Sequence, residues 1–133
     1  MDLLLWDKKF SVHNDSLDAH HKQLFELCNE MFKQIDQESK TPVYSTAKVI
    51  SELHMYAIFH FAEEEKLMEK YDFPKLDEHK KLHQGFIQKL AQLKEQYESD
   101  DVLVDYDILN FLSDWLIYHI LEVDSEYIDY INE

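Results

Sequence analysis

The sequence predicts an all-α protein, an up-down-up-down antiparallel four-helix bundle with an N-terminal arm, and three observations lead to this prediction. The chain has 133 residues, which is enough for one domain with a core. It contains one Gly and two Pro, and so few turn residues favour long helices. Four segments repeat apolar residues every three or four positions, as amphipathic helices do. Short connections then place consecutive helices antiparallel. We therefore expect residues 1–133 to form a single domain.

Each element follows from local signals in the sequence. Residues 1–15 are predicted to form the arm, in which Trp6 and Phe10 cover one side of the core. The first helix is expected over residues 16–38, with Ser16 as its N-cap. The bundle is expected to cover about residues 16–131. Its first helix is followed by a helix over 42–71 that begins at Pro42, a helix over 74–98, a polar turn at 99–101 and a helix over 103–131.

Composition restricts the class of partner and the compartment. Thirteen Lys and Arg against 28 Asp and Glu give a formal charge of −15, which disfavours nucleic acid and anionic membrane as partners. A single cysteine, Cys28, allows no internal disulfide and fits a reducing compartment. We interpret it as a small buried hydrophobe. No run approaches the roughly 20 apolar residues of a membrane span, and the N-terminus lacks a signal peptide pattern. A soluble cytoplasmic protein is expected.

Polar residues occupy several positions on the inward faces of the predicted helices, which are otherwise apolar, and these residues indicate a functional site. His60 and Glu64 are four residues apart, which places both on one face of the second helix. Burying such groups costs about several kcal/mol each unless they are paired or bind a metal. Five histidines and two carboxylates occupy inward positions on the four helices: His21, His60, Glu64, His79, His83, His119 and Asp124.

The seven inward polar residues are predicted to meet near one end of the bundle. Counted from the predicted helix ends, they all lie within about two turns of one level. One ion needs three or four protein ligands when tetrahedral and up to six when octahedral, so seven suggest two ions that share the carboxylates. Imidazole with carboxylate suits iron, zinc or copper, and the residue types leave this choice open.

Helical phase separates these residues from neighbouring candidates. In the run of three glutamates it favours Glu64 and assigns Glu63 and Glu65 to a solvated face. His20 is turned about 100° from the inward seam, and His54 lies about 120° round its helix from the inward histidine. His20 is expected to point away from the core, and His54 is expected either to be exposed or to contact the ligands without binding the metal.

Four motifs resemble those of the hemerythrin family, specifically the single-domain bacterial hemerythrins. They are LDAHHKQL, HFAEEEKLM, HKKLH and WLIYHILEVD. The likeness covers nearly the whole chain. It implies a four-helix bundle with a non-heme diiron centre that binds O2 reversibly.

Carried over by position, the resemblance implies two Fe ions per chain with unequal ligands. Glu122 is closer in helical phase to the last histidine, and the family motif selects Asp124 instead. Two positions depart from the family, which commonly has Gln at His20 and a small residue at His13. The implied ligands are His79, His83 and His119 on one iron, His21 and His60 on the other, and Glu64, Asp124 and an oxo or hydroxo group as bridges.

The iron with two histidines would keep an open position for O2, within a dry and apolar pocket. The expected function is oxygen storage, delivery or sensing, with nitric oxide or peroxide as other ligand candidates, and not an enzyme activity. The candidates for the pocket lining are Leu24, Phe61, Trp115, Leu116 and Ile120.

The alternative is a diiron enzyme: a peroxidase, an oxidase or a nitric oxide reductase. Ferritin-like diiron enzymes use more carboxylates. Anionic oxygen ligands better support high-valent iron, so the histidine-rich set favours reversible binding. A sensor would need a separate partner protein, whose identity the sequence does not indicate.

Overall fold

In the computed structural model, which describes residues 4–36, 43–98 and 106–131, every regular element is helical. The predicted four-helix bundle is confirmed. Its helices are α1 (Asp15–Asp36), α2 (Val43–Lys70), α3 (Leu76–Glu98) and α4 (Tyr106–Tyr118). The last helix continues through a π turn (His119–Val123), a 3-10 turn (Asp124–Tyr127) and a short α5 (Ile128–Ile131). The predicted end of the first helix beyond residue 36, the starts of the second and fourth helices and the turn at 99–101 lie outside the described residues.

Cross-helix contacts show the antiparallel arrangement. Glu65 of α2 contacts His83 of α3, while Phe61, one turn earlier on α2, lies 6.1 Å from Phe86, which is three residues later on α3. The residue numbers rise on one helix as they fall on the other. α1 packs against both α2 and α4. Within the described ranges, none of the helices is long and apolar enough to cross a membrane.

The start of α1 is fixed by Asn14, whose Oδ1 accepts a hydrogen bond from the backbone N–H of Leu17 at 3.0 Å. Asn14 is therefore the N-cap, and the prediction that Ser16 caps the helix is wrong because Ser16 lies inside the first turn. Asp18, also in this turn, accepts a hydrogen bond from the backbone N–H of Val12 at 2.9 Å and so anchors the arm.

The end of α2 is a Schellman motif. The N–H of Phe73 bonds to the carbonyl of Met68 at 2.9 Å, and the N–H of Asp72 bonds to the carbonyl of Glu69 at 3.2 Å. Asp72 has a φ of 54° and occupies the position where glycine is usual. The turn that follows delays α3 until Leu76, two residues later than predicted.

The arm covers the core as predicted. The ring of Trp6 lies 5.8 Å from that of Phe25 on α1, and the ring of Phe10 lies 5.1 Å from it. The amide of Asn29 also bonds both backbone groups of Leu4, at 2.7 and 2.9 Å. These contacts fix the arm along α1.

The apolar interior consists of two separate clusters. The larger one occupies the middle of the bundle and includes Phe61 and Phe86. The smaller one closes the end of the bundle and contains Val12, Leu17, Met68, Phe73, Tyr127 and Ile131. The inward histidines contact both clusters, because His83 stacks on Phe61 and His79 lies against Tyr127. The polar site therefore lies where the two clusters meet.

Candidate metal centre

A π turn sets the direction of the last carboxylate. The segment His119–Val123 is wound with five-residue hydrogen bonds, and the N–H of Asp124 bonds to the carbonyl of His119. Residues five apart thereby share a face, and the Oδ1 of Asp124 lies 3.0 Å from the Nε2 of His119. Glu122 is exposed. Local winding is thus the physical reason that Asp124, and not Glu122, faces the site.

The structure brings all seven sequence-predicted ligand residues together. Each is at most 3% exposed. Their potential ligand atoms form two groups, and within each group all atoms lie within 4.8 Å of one another. The three-histidine group contains His79, His83, His119, Glu64 and Asp124, and the two-histidine group contains His21, His60, Glu64 and Asp124.

In the three-histidine group the ring nitrogens converge on one point. The Nε2 atoms of His83 and His119 lie 3.0 Å apart. The Nε2 of His79 lies 2.9 Å from the Oδ1 of Asp124, and the Nε2 of His83 lies 3.3 Å from the Oε1 of Glu64. Nitrogen and oxygen donors that face one another in this way can coordinate a common ion.

The two-histidine group shares the same carboxylates. The Nε2 of His60 lies 3.3 Å from the Oε1 of Glu64, and the Nε2 of His21 lies 3.2 Å from the Oδ2 of Asp124. Asp124 therefore presents Oδ1 to one group and Oδ2 to the other. This arrangement suits a carboxylate that bridges two ions.

Several buried polar atoms of the site have no hydrogen-bond partner among the described residues. Native proteins rarely leave such atoms unpaired, since each costs about 1–3 kcal/mol. Imidazole and carboxylate donors fit iron, so these residues could hold a diiron centre whose ions would satisfy these atoms except the Nδ1 of His21, because His21 faces the two carboxylates with its Nε2. The unpaired atoms are His21 Nδ1, His60 Nε2, Glu64 Oε1, His79 Nε2, and Asp124 Oδ1 and Oδ2.

Burial and mutual contacts set the charges of the site. Burial opposes protonation of His21, yet hydrogen bonds to Asp124 and Glu64 raise its pKa to about 10. For His83, bonds to Glu64 and Glu65 outweigh burial and raise the pKa to about 9. Burial opposes ionisation of Glu64, but its histidine neighbours hold its pKa well below the usual value. Glu64 is thus ionised, and metal binding would displace protons from His21 and His83.

Glu65 touches the site, so its assignment to a solvated face is wrong. Its Oε2 lies 2.8 Å from the Nδ1 of His83, and its side chain is 26% exposed. A ligating histidine usually donates its outer N–H to such a carboxylate. That rule could have predicted a carboxylate near His83, but nothing in the sequence shows that Glu65, rather than another acidic residue, provides it. Glu63 is 40% exposed and pairs with Lys66, as expected of a solvated residue.

His20 and Tyr127 also reach the site. The prediction that His20 points away from the core is wrong, because its Nδ1 lies 3.0 Å from the Nδ1 of His60. The pKa of His20 is lowered, mainly because its ring is partly buried. The hydroxyl of Tyr127 donates a hydrogen bond of 2.5 Å to the Oε2 of Glu64. Helical periodicity places Tyr127 on an inward arc without assigning it this contact.

The predicted lining residues all lie in or against the main core cluster. Leu24, Phe61, Leu116 and Ile120 are buried, and Trp115 is half-buried. The ring of Phe61 stacks on that of His83 at 3.8 Å, and the ring of Trp115 stacks on that of His119 at 4.4 Å. These two aromatic residues therefore contact the three-histidine group. Phe61 also lies 5.7 Å from the ring of His60.

Comparisons with known proteins agree with this architecture. The hemerythrin HHE cation binding domain matches residues 12–131. The chain is 35% identical to a bacteriohemerythrin of Clostridium acetobutylicum over 131 residues, which cover 96% of this chain and 100% of that relative. It is 31% identical to a myohemerythrin of Riftia pachyptila over 123 residues, which cover 92% and 89% of the two chains.

A crystal structure of wild-type hemerythrin superposes with a TM-score of 0.90 at 26% identity, covering 99% of this chain and 100% of that one. A crystal structure of a hemerythrin mutant gives a TM-score of 0.92 at 25% identity, with complete coverage of both chains. The domain match, the relatives and the site agree: this chain belongs to the hemerythrin family.

Proposed function

We propose that the chain binds O2 reversibly at a diiron centre formed by the seven buried side chains. The observation that carries this proposal is the division of their ligand atoms into two groups that share Glu64 and Asp124. Two cations bound in these adjacent groups would repel each other, and the two shared carboxylates would offset that repulsion. The curated relatives carry the names bacteriohemerythrin and myohemerythrin, which supports the same function.

Each group would hold one iron. His79, His83 and His119 would ligate one ion, His21 and His60 would ligate the other, and the two carboxylates would bridge them together with an oxo or hydroxo group. When bound, the diiron pair would supply two electrons to O2 and recover them when O2 is released. The two-histidine group has one protein ligand fewer than the other, so O2 would bind on its side.

The protein's contribution is to hold these ligands and exclude water. Tyr127 donates to Glu64 and so orients the shared carboxylate. Phe61 covers His83, and Leu116 and Ile120 are at most 2% exposed. A dry environment favours reversible binding because water and protons promote loss of the reduced state. Storage, delivery and sensing of O2 all fit such a site.

An optical experiment tests the proposal. Apo-protein loaded anaerobically with Fe²⁺ should contain two irons per chain by elemental analysis. Exposure to air should produce charge-transfer bands that disappear under vacuum and return with O2 over several cycles. An Asp124→Asn variant keeps the side-chain volume but removes the bridging charge, so it should hold less iron and show weak bands.

Other outcomes would contradict reversible O2 binding. A single metal per chain, or a preference for zinc, would argue against the diiron centre. Sustained turnover of peroxide or nitric oxide with two irons bound would instead identify the protein as a diiron enzyme. Bands that change with O2 only once would show irreversible oxidation.

A further inference from the structure

We infer that His20 is a positioning residue, whose Nδ1 accepts a hydrogen bond from the Nδ1–H of His60 and so directs the lone pair of His60 Nε2 at the metal. This inference rests on the proposed function, because it assumes that His60 is a ligand. His20 lies outside the seven-residue set that the two ligand groups define.

The direction of the hydrogen bond follows from the two ends of the His60 ring. The Nδ1 of His60 lies 3.0 Å from the Nδ1 of His20, while its Nε2 faces the Oε1 of Glu64 at 3.3 Å without forming a hydrogen bond. A neutral imidazole carries one N–H, and a metal needs the nitrogen that lacks it. When Nε2 ligates a metal, Nδ1 must carry the hydrogen. His60 is then the donor and His20 the acceptor.

The His20 ring packs against α2. It belongs to α1, next to the ligand His21, and lies edge-on to two aromatic rings of α2. Its centroid is 5.1 Å from that of Phe59 and 6.0 Å from that of Tyr56. It is perpendicular to the ring of His60, with an interplanar angle of 90°. These contacts place the ring of His20 beside that of His60 on α2.

The two ligand groups thus differ in their outer contacts as well as in their histidine number. His83 has the carboxylate of Glu65 behind its Nδ1 at 2.8 Å, whereas His60 has the imidazole of His20. A carboxylate is the stronger acceptor and raises the basicity of a ligating histidine more. We therefore expect His60 to be a weaker electron donor to its iron than His83 is to the other iron. His60 belongs to the two-histidine group, where O2 is proposed to bind.

Metal binding by three variants tests the positioning role. His20→Leu removes the acceptor but keeps an apolar side chain against Phe59. His20→Gln provides an amide oxygen that can accept in place of Nδ1. His54→Leu is the matched control, since His54 is a half-buried histidine of α2 outside both ligand groups. All three should retain the helical circular dichroism spectrum of the wild type.

Anaerobic titration with Fe²⁺ against a competing chelator gives the affinity of each position. His20→Leu should lose about 10–100-fold in affinity at one of the two positions, as expected for an outer contact of a ligand. His20→Gln should recover most of this loss, and His54→Leu should match the wild type. Equal affinity of His20→Leu and the wild type would overturn the inference. An equal loss in folded His20→Leu and His20→Gln would overturn it as well, because packing would then be the cause.

A spectroscopic measurement checks the hydrogen bond itself. In Zn²⁺-loaded protein labelled with ¹⁵N at histidine, the Nδ1–H of His60 should exchange slowly with solvent in the wild type and in His20→Gln. It should exchange faster in His20→Leu. An Nδ1–H that exchanges equally in all three would refute the bond. Failure of the wild type to bind two irons is a separate result, which would refute the proposed function and this role with it.

Discussion

Glu65 and His83 show how a residue outside a ligand set can control the ligand. The carboxylate behind His83 raises the basicity of its ring, so Glu65→Gln should weaken metal binding at the three-histidine group. The expected loss of affinity is about tenfold, which is the low end of such effects, because the amide oxygen can still accept the hydrogen bond from His83. Glu63→Gln is a control at a neighbouring residue that pairs with Lys66 and not with a ligand. Chelator competition measures both, and equal affinities in the two variants would contradict this role of Glu65.

Cys28 is expected to be chemically inert in the folded protein. The residue is 1% exposed, and burial raises the pKa of its thiol to about 12. The thiolate is the reactive form, so both access and ionisation are suppressed. A disulfide reagent at pH 8 should label Cys28 slowly in buffer and rapidly in guanidinium chloride. Fast stoichiometric labelling of the native protein would disprove this.

Leu116 allows a test of the dry pocket. It is 1% exposed in the main core cluster and precedes the ligand His119 by three residues. Leu116→Ala should destabilise the fold by about 2–5 kcal/mol. Because residues three apart share a helix face, we expect the space left to open on the side of His119 and to admit water there. The oxygenated protein should then lose its bands faster in stopped-flow decay, with iron content near two per chain.

The control for Leu116 is the same substitution elsewhere in the core. Leu90 is fully buried on α3, about two turns beyond His83. Leu90→Ala should have a similar stability cost without faster decay of the oxygenated form. Equal decay rates in the two variants would remove Leu116 from the pocket.

Helical phase predicts every ligand except Asp124, but it does not predict the residues behind the ligands. A ligand replaces an apolar residue on the inward seam, so its position is visible in one helix alone. Glu65 lies about 100° round the helix from Glu64, and His20 lies about 100° from His21. Each reaches the site because a neighbouring helix brings a partner to that side. Such contacts depend on packing between helices, which the pattern of a single helix does not contain.

At the scale of elements, the π turn is the feature that the sequence pattern could not predict. A regular α-helix places residues three or four apart on one face, which favoured Glu122. The five-residue winding over His119–Val123 brings Asp124 round instead. No Gly or Pro marks this segment. Contacts of Asp124 and Tyr127 with groups on other helices accompany the change in winding.

The single glycine offers a test of helix stability. Gly85 is exposed within α3, and a Cβ built there meets nothing within 4 Å. Gly85→Ala should therefore stabilise the protein by about 0.5–1 kcal/mol, because alanine loses less backbone entropy in a helix. Ala91→Gly, at another exposed site of α3, should have the opposite effect. Urea unfolding measures both, and a lower midpoint for Gly85→Ala would show a constraint that the free space does not reveal.

At the scale of the whole molecule, a buried polar layer joins two apolar clusters. The larger cluster holds the middle of the bundle, and the smaller one ties the arm and the ends of α2 and the last helix together. The ligand atoms come from all four helices, so ions bound there would link the bundle across the layer. The sequence predicted this common level from the predicted helix ends, on the expectation that short connections place neighbouring helices antiparallel.

Removing metal should consequently lower the stability of the entire fold. Glu64 and Asp124 are fully buried, and in the absence of metal their charge is offset by protonated histidines such as His21, whose pKa is raised to about 10. An ion that binds only the folded state adds about 4.1 kcal/mol when its free concentration is 1,000 times Kd. For a domain of this size, that gain raises Tm by roughly 10–15 °C.

Calorimetry of apo- and iron-loaded protein measures this shift. His79→Ala removes a ligand from the three-histidine group, so its iron-dependent increase in Tm should be much smaller. The same Tm for apo- and iron-loaded wild type would mean that the ions do not link the helices. If His79→Ala gains as much from iron as the wild type, the stabilising ion would be bound elsewhere. A large iron-dependent increase in Tm in the wild type but not in His79→Ala would assign the stabilisation to the buried polar layer, because the variant differs from the wild type only in that layer.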